Sequence, residues 1–327
     1  MMGNIMKPFA LNPIMMAVFL TSALISTAPA ATQGTWTIYT TKNGLADNRI
    51  RSIAVDRDNV KWFATYKGVS SFDGRTWKTY TAANGLADDN VNAVAVDRDN
   101  VKWFGTYGGV SSFDGKKWKT WTERDGLAYH IVQTIAVDRD NVKWFSTYRG
   151  ITTFDGKKWK TFTTVNSGIL DNMAYAIGVD GDNVKWFSAY DGVSKFDGET
   201  WEIIKPVKDV VTGKVYYVWA IAVDNDNVKW FGTFNRGMTS FDGKEWKIHN
   251  KDTGLDFLYI NSIAVGRDNV KWCGTDEGVA SYDGTAWRHY TTKDGLPASK
   301  VRAVAVDRDN VKWFGTFKNG VVRYSTK

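Results

Sequence analysis

The chain has 327 residues, of which 16 are tryptophan, 14 tyrosine and 17 phenylalanine, with five prolines, one cysteine and a formal net charge of +7. This aromatic content excludes a disordered chain, which lacks the apolar surface that offsets ordering entropy. The low proline count excludes collagen-like sequence, and the single cysteine excludes a disulfide framework or a multi-cysteine zinc site. Length alone is typical of about two domains.

The first thirty residues have the composition of an export signal. Lys7 is their only charge, the stretch Ile14–Ile25 is apolar, and small residues including Ala28 and Ala30 follow it. We therefore predict a signal peptide over residues 1–30, followed by a folded domain over 31–327, in the periplasm or outside the cell. An uncleaved anchor is the alternative, although the apolar stretch is short for a membrane span.

Tryptophans mark an internal repeat. Val-Lys-Trp recurs at intervals of 41 to 44 residues, at Trp62, Trp103, Trp144, Trp186, Trp230, Trp272 and Trp313. A second series follows Asp-Gly pairs, at Trp77, Trp118, Trp159, Trp201, Trp246 and Trp287, with Trp36 as a detached member. Trp121 and Trp219 lie outside both series. Repeats of this length indicate propeller blades, solenoids or arrays.

Each repeat contains four short β-branched or aromatic segments separated by Asp-x-Asp-Asn, Gly and Asp-Gly turns. This pattern predicts a four-stranded blade, and seven repeats predict an all-β, seven-bladed propeller. The chain starts with a lone fourth strand at Trp36 and ends without one, so the N-terminal strand is expected to complete the last blade. A solenoid would need polar capping repeats, and none is evident.

The repeat Gly-Leu…Ala-Val-Asp-x-Asp-Asn-Val-Lys-Trp-Phe-Gly-Thr…Phe-Asp-Gly resembles the two-component regulator propeller repeat, best between Asn84 and Gly115. The resemblance covers essentially all of residues 34–327. It implies a periplasmic sensor-type propeller that reads a ligand, often an oligosaccharide. In that family a histidine kinase commonly follows the propeller, whereas here the sequence ends at Lys327.

Positions that differ between repeats are candidates for function. Five residues before each Asp-x-Asp turn stand Arg51, Asn92, Gln133, Tyr175, Trp219, Asn261 and Arg302. Two residues earlier stand Arg49, Asn90, Ile131, Met173, Tyr217, Tyr259 and Lys300. In a closed ring, Arg49, Arg51, Lys300 and Arg302 should form a basic arc, and Tyr175, Tyr217, Trp219 and Tyr259 an aromatic arc, with Tyr129, His130, Phe257 and Leu258 on the same rim.

The eight residues of the two arcs form the predicted ligand-binding site: Arg49, Arg51, Lys300, Arg302, Tyr175, Tyr217, Trp219 and Tyr259. Arginines pair with carboxylate, sulfate or phosphate, and aromatic faces stack on sugar or peptide. An oligosaccharide or other anionic ligand is the predicted partner of a monomeric binding module, with an envelope protein or a separate sensor kinase as further partners. Two alternatives stay open: a protein-interaction scaffold, and a lyase or glycosidase, for which only Asp171 and Asp276 lie near enough to act.

The remaining motifs have structural interpretations. Asp-x-Asp-Asn lacks the further carboxylates of a calcium loop and is interpreted as turn chemistry, so neither a metal nor a cofactor is predicted. Cys273 replaces a repeated phenylalanine and is predicted in the core. His249 and His289 are predicted at the surface. The Val-Lys-Trp lysines are predicted to spread positive charge evenly, which argues against nucleic acid.

Overall fold

A computed structural model of the chain describes residues 34–190, 192–204 and 217–326. The predicted signal peptide over residues 1–30 lies outside these residues, as does most of the long linker before Tyr217. No helix within the described ranges is long and apolar enough to cross a membrane.

The described residues form seven antiparallel four-stranded sheets, the blades of a propeller. The strands are β1 (Thr35–Tyr39), β2 (Ile50–Val55), β3 (Lys61–Thr65), β4 (Gly68–Phe72), β5 (Trp77–Tyr80), β6 (Val91–Val96), β7 (Lys102–Thr106), β8 (Val110–Phe113), β9 (Trp118–Trp121), β10 (Val132–Val137), β11 (Lys143–Thr147), β12 (Gly150–Phe154), β13 (Trp159–Phe162), β14 (Ile177–Val179), β15 (Lys185–Ala189), β16 (Gly192–Phe196), β17 (Trp201–Ile204), β18 (Val218–Val223), β19 (Lys229–Thr233), β20 (Met238–Phe241), β21 (Trp246–His249), β22 (Ile260–Val265), β23 (Lys271–Thr275), β24 (Val279–Tyr282), β25 (Trp287–Tyr290), β26 (Val301–Val306), β27 (Lys312–Thr316) and β28 (Val321–Ser325).

Blades 1 to 6 take four consecutive strands each, from β2–β5 to β22–β25, and blade 7 has the order β1-β28-β27-β26. Short 3₁₀ helices lie in the linkers, at Thr41–Asn43, Ala82–Asn84, Glu123–Asp125, Lys251–Thr253 and Thr292–Asp294. The predicted closure is confirmed, because β1 pairs with β28 from Thr35 opposite Ser325 to Tyr39 opposite Val321. Strand β2 of blade 1 also packs beside β26 of blade 7.

The hydrophobic core lies between neighbouring blades. Trp62 and Val69 of blade 1, for example, pack against Leu86, Val91 and Phe104 of blade 2. Because each Val-Lys-Trp tryptophan fills one such interface, the tryptophan series belongs to the scaffold. Burying an aromatic side chain of this size stabilises a fold by about 3 kcal/mol or more.

Cys273 lies in the core, as predicted, with no exposed surface. Its Sγ is 3.4 Å from Sδ of Met238, which is also fully buried and occupies the position of a valine or isoleucine in the six other blades. The larger methionine therefore fills space that a phenylalanine occupies elsewhere. Burial raises the pKa of the Cys273 thiol, so it stays protonated and unreactive.

The Asp-x-Asp-Asn motifs form the turns between first and second strands. In blade 1, Oδ1 of Asp56 accepts hydrogen bonds from the backbone N–H groups of Asp58 (3.0 Å) and Val60 (2.9 Å), and Oδ2 accepts one from Nε1 of Trp62 (2.9 Å). Asn59 has a φ of 60°, in the left-handed region that asparagine tolerates. Both carboxylate oxygens of Asp56 thus hold the turn and its tryptophan, as the turn interpretation requires.

Neighbouring turns are also joined to one another. Asn100 accepts a hydrogen bond from the Arg57 N–H (2.9 Å) and donates one to Asp58 Oδ2 (2.9 Å). The link from Asn59 Nδ2 to Asp309 Oδ2 (2.8 Å) joins blade 1 to blade 7 in the same way. A belt of turn-to-turn hydrogen bonds therefore runs around the propeller.

The prediction that the Val-Lys-Trp lysines spread charge over the surface is wrong. These lysines are buried, and in six blades the ammonium group lies 3.0–3.8 Å from the first aspartate of the preceding turn, as for Lys102 and Asp56 (3.7 Å). Buried charges require such partners. The lysines therefore join blades and contribute little charge to the surface.

Gly266 interrupts this arrangement in blade 6, where it stands in place of the first aspartate. Within the described residues, the buried Nε1 of Trp272 consequently has no hydrogen-bond partner. Lys312 loses the carboxylate that its six counterparts contact, and burial lowers its pKa. The sequence showed the missing aspartate but gave no sign of the unpartnered Trp272 donor or of the altered surroundings of Lys312.

The prediction of a surface position is also wrong for His249, which is 8% exposed. It ends β21 at the place that Tyr80 and Phe162 hold in other blades, and its ring lies 4.9 Å from that of Trp230. Burial, with nearby lysines, lowers the pKa of His249 to about 4. Its Nε2 is 3.0 Å from Ser240 Oγ.

Candidate ligand site at the entry face

We call the face where linkers enter the first strands the entry face, and the opposite face, which carries the Asp-x-Asp-Asn turns, the turn face. We call the residues that stand five positions before each turn the inner ring. They stand at or just before the start of the first strands, where strand pairing is irregular. In blade 1 the register shifts between Ile50 and Ser52, so Arg51 is the extra residue of a β-bulge. The same shift surrounds Asn92, Gln133, Trp219, Asn261 and Arg302. A bulge re-aims its extra side chain.

The structure brings five of the eight predicted residues onto one cavity of about 410 Å³ at the entry face: Arg51, Tyr175, Trp219, Lys300 and Arg302. Asn92, Gln133 and Asn261 line it too, together with Asp276. Its volume lies within the usual range for small-molecule sites. The residues of the inner ring, chosen by comparison of the repeats, therefore lie together around one cavity.

The aromatic side of this cavity is a continuous series of rings. Tyr175 and Trp219 are stacked with centroids 4.6 Å apart and planes 18° from parallel. Trp219 then stacks on Phe234 (5.9 Å), which meets Tyr259 edge-on (4.9 Å). Trp219 remains 37% exposed, which leaves part of the indole available to a ligand. Burial raises the pKa of Tyr175, so its hydroxyl is neutral at pH 7.

The basic side places two arginines in the cavity wall that have no carboxylate partner among the described residues. Arg51 lies over the ring of Tyr66 (3.7 Å), and Arg302 over that of Phe317 (4.5 Å). Lys300 differs, since its Nζ is 2.7 Å from Oδ2 of Asp276. Because guanidinium–aromatic stacking leaves the N–H edge free, both arginines can still pair with an anion.

The other predicted residues lie beside the cavity. Arg49 forms an ion pair with Asp47 (2.8 Å) and lies over the ring of Tyr66 (4.2 Å). The hydrogen bond that the Arg49 side chain donates to Asp47 lowers the pKa of that carboxyl group. Tyr217 packs edge-on against Tyr190 (3.8 Å). Tyr259 does not line the cavity itself but packs edge-on against Phe234, which does.

The additional rim residues divide between surface and core. Tyr129 contacts His130 (4.1 Å), and His130 Nδ1 is 2.8 Å from a carboxylate oxygen of Glu123. The Leu258 carbonyl accepts a hydrogen bond from Gly237 (2.9 Å). Phe257 is buried against His289, so its predicted place on the rim is wrong.

Sequence reasoning missed an outer ring of aromatic residues. They follow each second strand, and six blades have one: Tyr66, Tyr107, Tyr148, Tyr190, Phe234 and Phe317. Backbone hydrogen bonds hold several to the entering linker, as from Phe317 to Lys300 (3.0 Å) and from Phe234 to Tyr217 (3.0 Å). Comparison of repeats at this position identifies the ring, but the comparison that selects variable positions passes over it, because a residue type shared by the repeats indicates scaffold.

Asp276 takes the place of the aromatic residue in blade 6. Its carboxylate accepts hydrogen bonds from Lys300 (2.7 Å) and Asn261 Nδ2 (2.8 Å). Asp171, the second carboxylate considered for catalysis, accepts a hydrogen bond from the Met173 N–H (3.2 Å) and is not among the residues lining the cavity. The described residues therefore place only one of these two acids in the wall.

Below the mouth lies a space of about 200 Å³ that is lined by both polar and aliphatic residues. Its aliphatic residues stand two positions after the inner ring: Ile53, Ile177, Ile221, Ile263 and Val304. We call them the aliphatic collar. They share the channel side of the first strands with the inner ring, because side chains two residues apart along a strand point the same way.

Solved structures with the same fold include extracellular domains of bacterial two-component systems and lyases. The extracellular domain of BT3049, described as a hybrid two-component system, from B. thetaiotaomicron has a TM-score of 0.76 and 20% identity, over 90% of this chain and 42% of that one. Virginiamycin B lyase from Staphylococcus aureus has a TM-score of 0.71 and 13% identity, over 89% of this chain and 99% of that one.

A structure of YCF48 bound to D1 peptide is similar as well, with a TM-score of 0.67 and 13% identity, over 89% of this chain and 97% of that one. The chain spans less than half the length of the solved extracellular domains of BT3049 and BT4673. At these identities the likeness establishes the fold alone. No protein-family model and no curated protein matches the chain.

Proposed function

We propose that this protein is an exported, non-catalytic binding module that recognises an anionic oligosaccharide, or another anionic ligand with flat apolar faces, at the entry face. The observation that supports this most is the pairing, on one cavity, of two arginines that lack carboxylate partners with a stacked, partly exposed Tyr175–Trp219 pair.

Each side of the cavity would recognise a different part of such a ligand. Arg51 and Arg302 would hold its sulfate, uronate or phosphate groups through paired N–H donors. Trp219 would stack on the apolar face of a ring. The asparagines and Gln133 would supply directional hydrogen bonds.

A sensor role within a two-component pathway is consistent with the extracellular sensor domains that share this fold. The propeller would then report its occupied state to a separate sensor kinase or another envelope protein. This part of the proposal rests on similarity and on the family resemblance of the repeat.

The site can be tested by calorimetry with sulfated, uronate-containing and neutral oligosaccharides. Arg51→Gln and Arg302→Gln should each weaken binding of the best ligand roughly ten- to a hundredfold, since a hydrogen bond to a charged group contributes about 1.5–3 kcal/mol. Trp219→Ala should weaken charged and neutral sugars alike, because it removes the stacking surface.

Arg75→Gln, at an exposed hairpin away from the cavity, is the matched control. Equal binding by the wild type and all three site variants would overturn the site. Acidic peptides that bind where sugars do not would favour a protein-interaction scaffold, and cleavage of the ligand during incubation would favour a lyase.

A further inference from the structure

The turn face of the channel carries a group of arginines that the proposed function does not use. The second residue of the Asp-x-Asp-Asn turn is arginine in five consecutive blades, at Arg267, Arg308, Arg57, Arg98 and Arg139, and Gly181 and Asn225 fill the two remaining positions. We call these five residues the arginine arc. They lie on one side of the ring, because blades 6, 7, 1, 2 and 3 are neighbours.

Four members of the arc line a cavity of about 430 Å³: Arg57, Arg98, Arg139 and Arg308. Its remaining wall is Val55, Val96, Val137 and Val179, with Asp97 and Asp138. The cavity is thus separate from the entry-face site, with which it shares no lining residue.

The two aspartates do not neutralise the arc. Asp97 and Asp138 are buried, and each already accepts from a tryptophan Nε1 at 2.9 Å. Lys143 and Lys185 further balance them, at 3.3 and 3.7 Å. The exposed third-position carboxylates, such as Asp58, accept from asparagine Nδ2 in the belt.

The guanidinium groups themselves are partly positioned and otherwise free. Nε of Arg139 and Arg308 donates to the carbonyl of Asp180 and Asp56, respectively, at 3.0 Å in both cases. This bond fixes each guanidinium and leaves its Nη groups for a ligand. Within the part of the chain that the structure describes, no arc member that lines the cavity forms an ion pair with a carboxylate, unlike Arg49 and Arg288.

We propose that the turn face binds a compact multivalent anion, carrying several phosphate or sulfate groups, in the cavity lined by the arginine arc. Four guanidiniums on adjacent turns, held in register by the hydrogen-bonded belt, suit a ligand with anionic groups on several sides. Such planar donors bind phosphate and sulfate bidentately. A single carboxylate would engage only part of the arc.

The experiment is calorimetry on the full chain at about 150 mM salt, where nonspecific surface attraction is strongly screened. The probes are inositol hexakisphosphate and sucrose octasulfate, with myo-inositol as the uncharged control. The Arg57→Gln/Arg98→Gln variant should weaken the better probe at least tenfold. It leaves the belt intact, because the belt uses the backbone N–H of Arg57 and Arg98.

Two control variants carry the same loss of two charges. Arg75→Gln/Arg288→Gln alters exposed residues elsewhere and should change affinity less than twofold. Arg51→Gln/Arg302→Gln alters the entry-face site and should also leave this binding unchanged, which separates the two sites. Thermal unfolding of each variant confirms folding.

The proposal is overturned if the wild type binds neither anion, if all three double variants weaken binding equally, or if only the entry-face variant does. Preference for the phosphate or the sulfate probe would support it and identify the chemistry of the natural ligand.

Discussion

His249 puts an imidazole at the end of a fourth strand, where Tyr80 and Phe162 stand in other blades. Its ring is buried against Trp230, where an imidazolium would lose its hydration. Because its pKa falls from 6.5 to about 4 on folding, the unfolded chain binds the proton more readily. Stability from this residue is complete above pH 6.5 and is lost as the pH falls toward 4.

We therefore predict that His249→Tyr, which installs the residue found in blade 1, flattens the decline in stability between pH 6.5 and about 4. The difference at the acid end should be on the order of 3 kcal/mol, since one pKa unit corresponds to about 1.4 kcal/mol. Urea unfolding across this pH range measures it. The exposed His130→Asn serves as control, and parallel pH profiles of wild type and His249→Tyr would contradict the prediction.

Single residues also show where prediction from sequence ends. Trp219 could be identified because it falls outside the periodic tryptophans, and it lines the cavity. Phe257 could not be assigned correctly, because an aromatic residue in a linker looks the same whether it packs inward or faces a ligand. His249 was misassigned because the aromatic character of its position becomes evident only when the strands are aligned.

At the scale of the element, the turn is the unit that each blade repeats. The first aspartate has two tasks, since it holds its own turn and tryptophan and also receives the lysine of the next blade. The blade 6 turn keeps the backbone part, with the Gly266 N–H donating to the Val270 carbonyl (2.8 Å). Its missing carboxylate leaves the Trp272 and Lys312 donors without this acceptor.

Gly266→Asp should therefore stabilise the protein by about 1–3 kcal/mol, the usual contribution of hydrogen bonds to a charged group. A Cβ at this position would stand 2.3 Å from Asp268 Oδ1, so the Asp268 carboxylate has to rotate away, as the end of a side chain can. The midpoint of chemical unfolding measures the effect.

Gly266→Asn is the matched control, because it supplies an oxygen to Trp272 but no charge to Lys312. It should recover only part of the gain. A Gly266→Asp variant that is less stable than the wild type would show that the Asp268 carboxylate cannot rotate away from the new side chain.

The bulges explain what strand patterning could and could not predict. Comparison of equivalent positions between repeats pointed to Arg51, Trp219 and Arg302, and all three line the entry-face cavity. The bulge turns these side chains into the mouth of the channel. It depends on how two strands pair and cannot be recognised in the sequence of a single repeat. The outer aromatic ring was missed for a related reason, because its role becomes evident only when its position next to the inner ring is known.

For the whole molecule, closure depends on a single short strand. The seven-bladed fold followed from the repeat count and from the unmatched ends, both readable in the sequence. Trp36 on β1 packs on Tyr324 (4.2 Å) and donates through Nε1 to the Asp294 carbonyl (3.0 Å), so β1 joins blade 7 to the linker from blade 6.

Removing residues 1–40 should expose the edge of β28, lower the midpoint of urea unfolding and promote self-association, because unpaired edges seek other strands. A synthetic peptide of residues 34–40 should restore the monomer and its stability. The same peptide with Trp36→Ala should restore less, since it loses the main packing contact. Size-exclusion chromatography and urea unfolding test this, and an unchanged truncated protein would contradict it.

The aliphatic collar does not make the channel apolar. Ser52, Thr134 and Ser262 line the same space as its isoleucines, and so do Arg51 and Arg302 of the entry-face cavity. Two guanidinium charges therefore border the channel below the mouth as well as at the mouth, so that a cation on the propeller axis would meet like charge there and an anion would meet opposite charge.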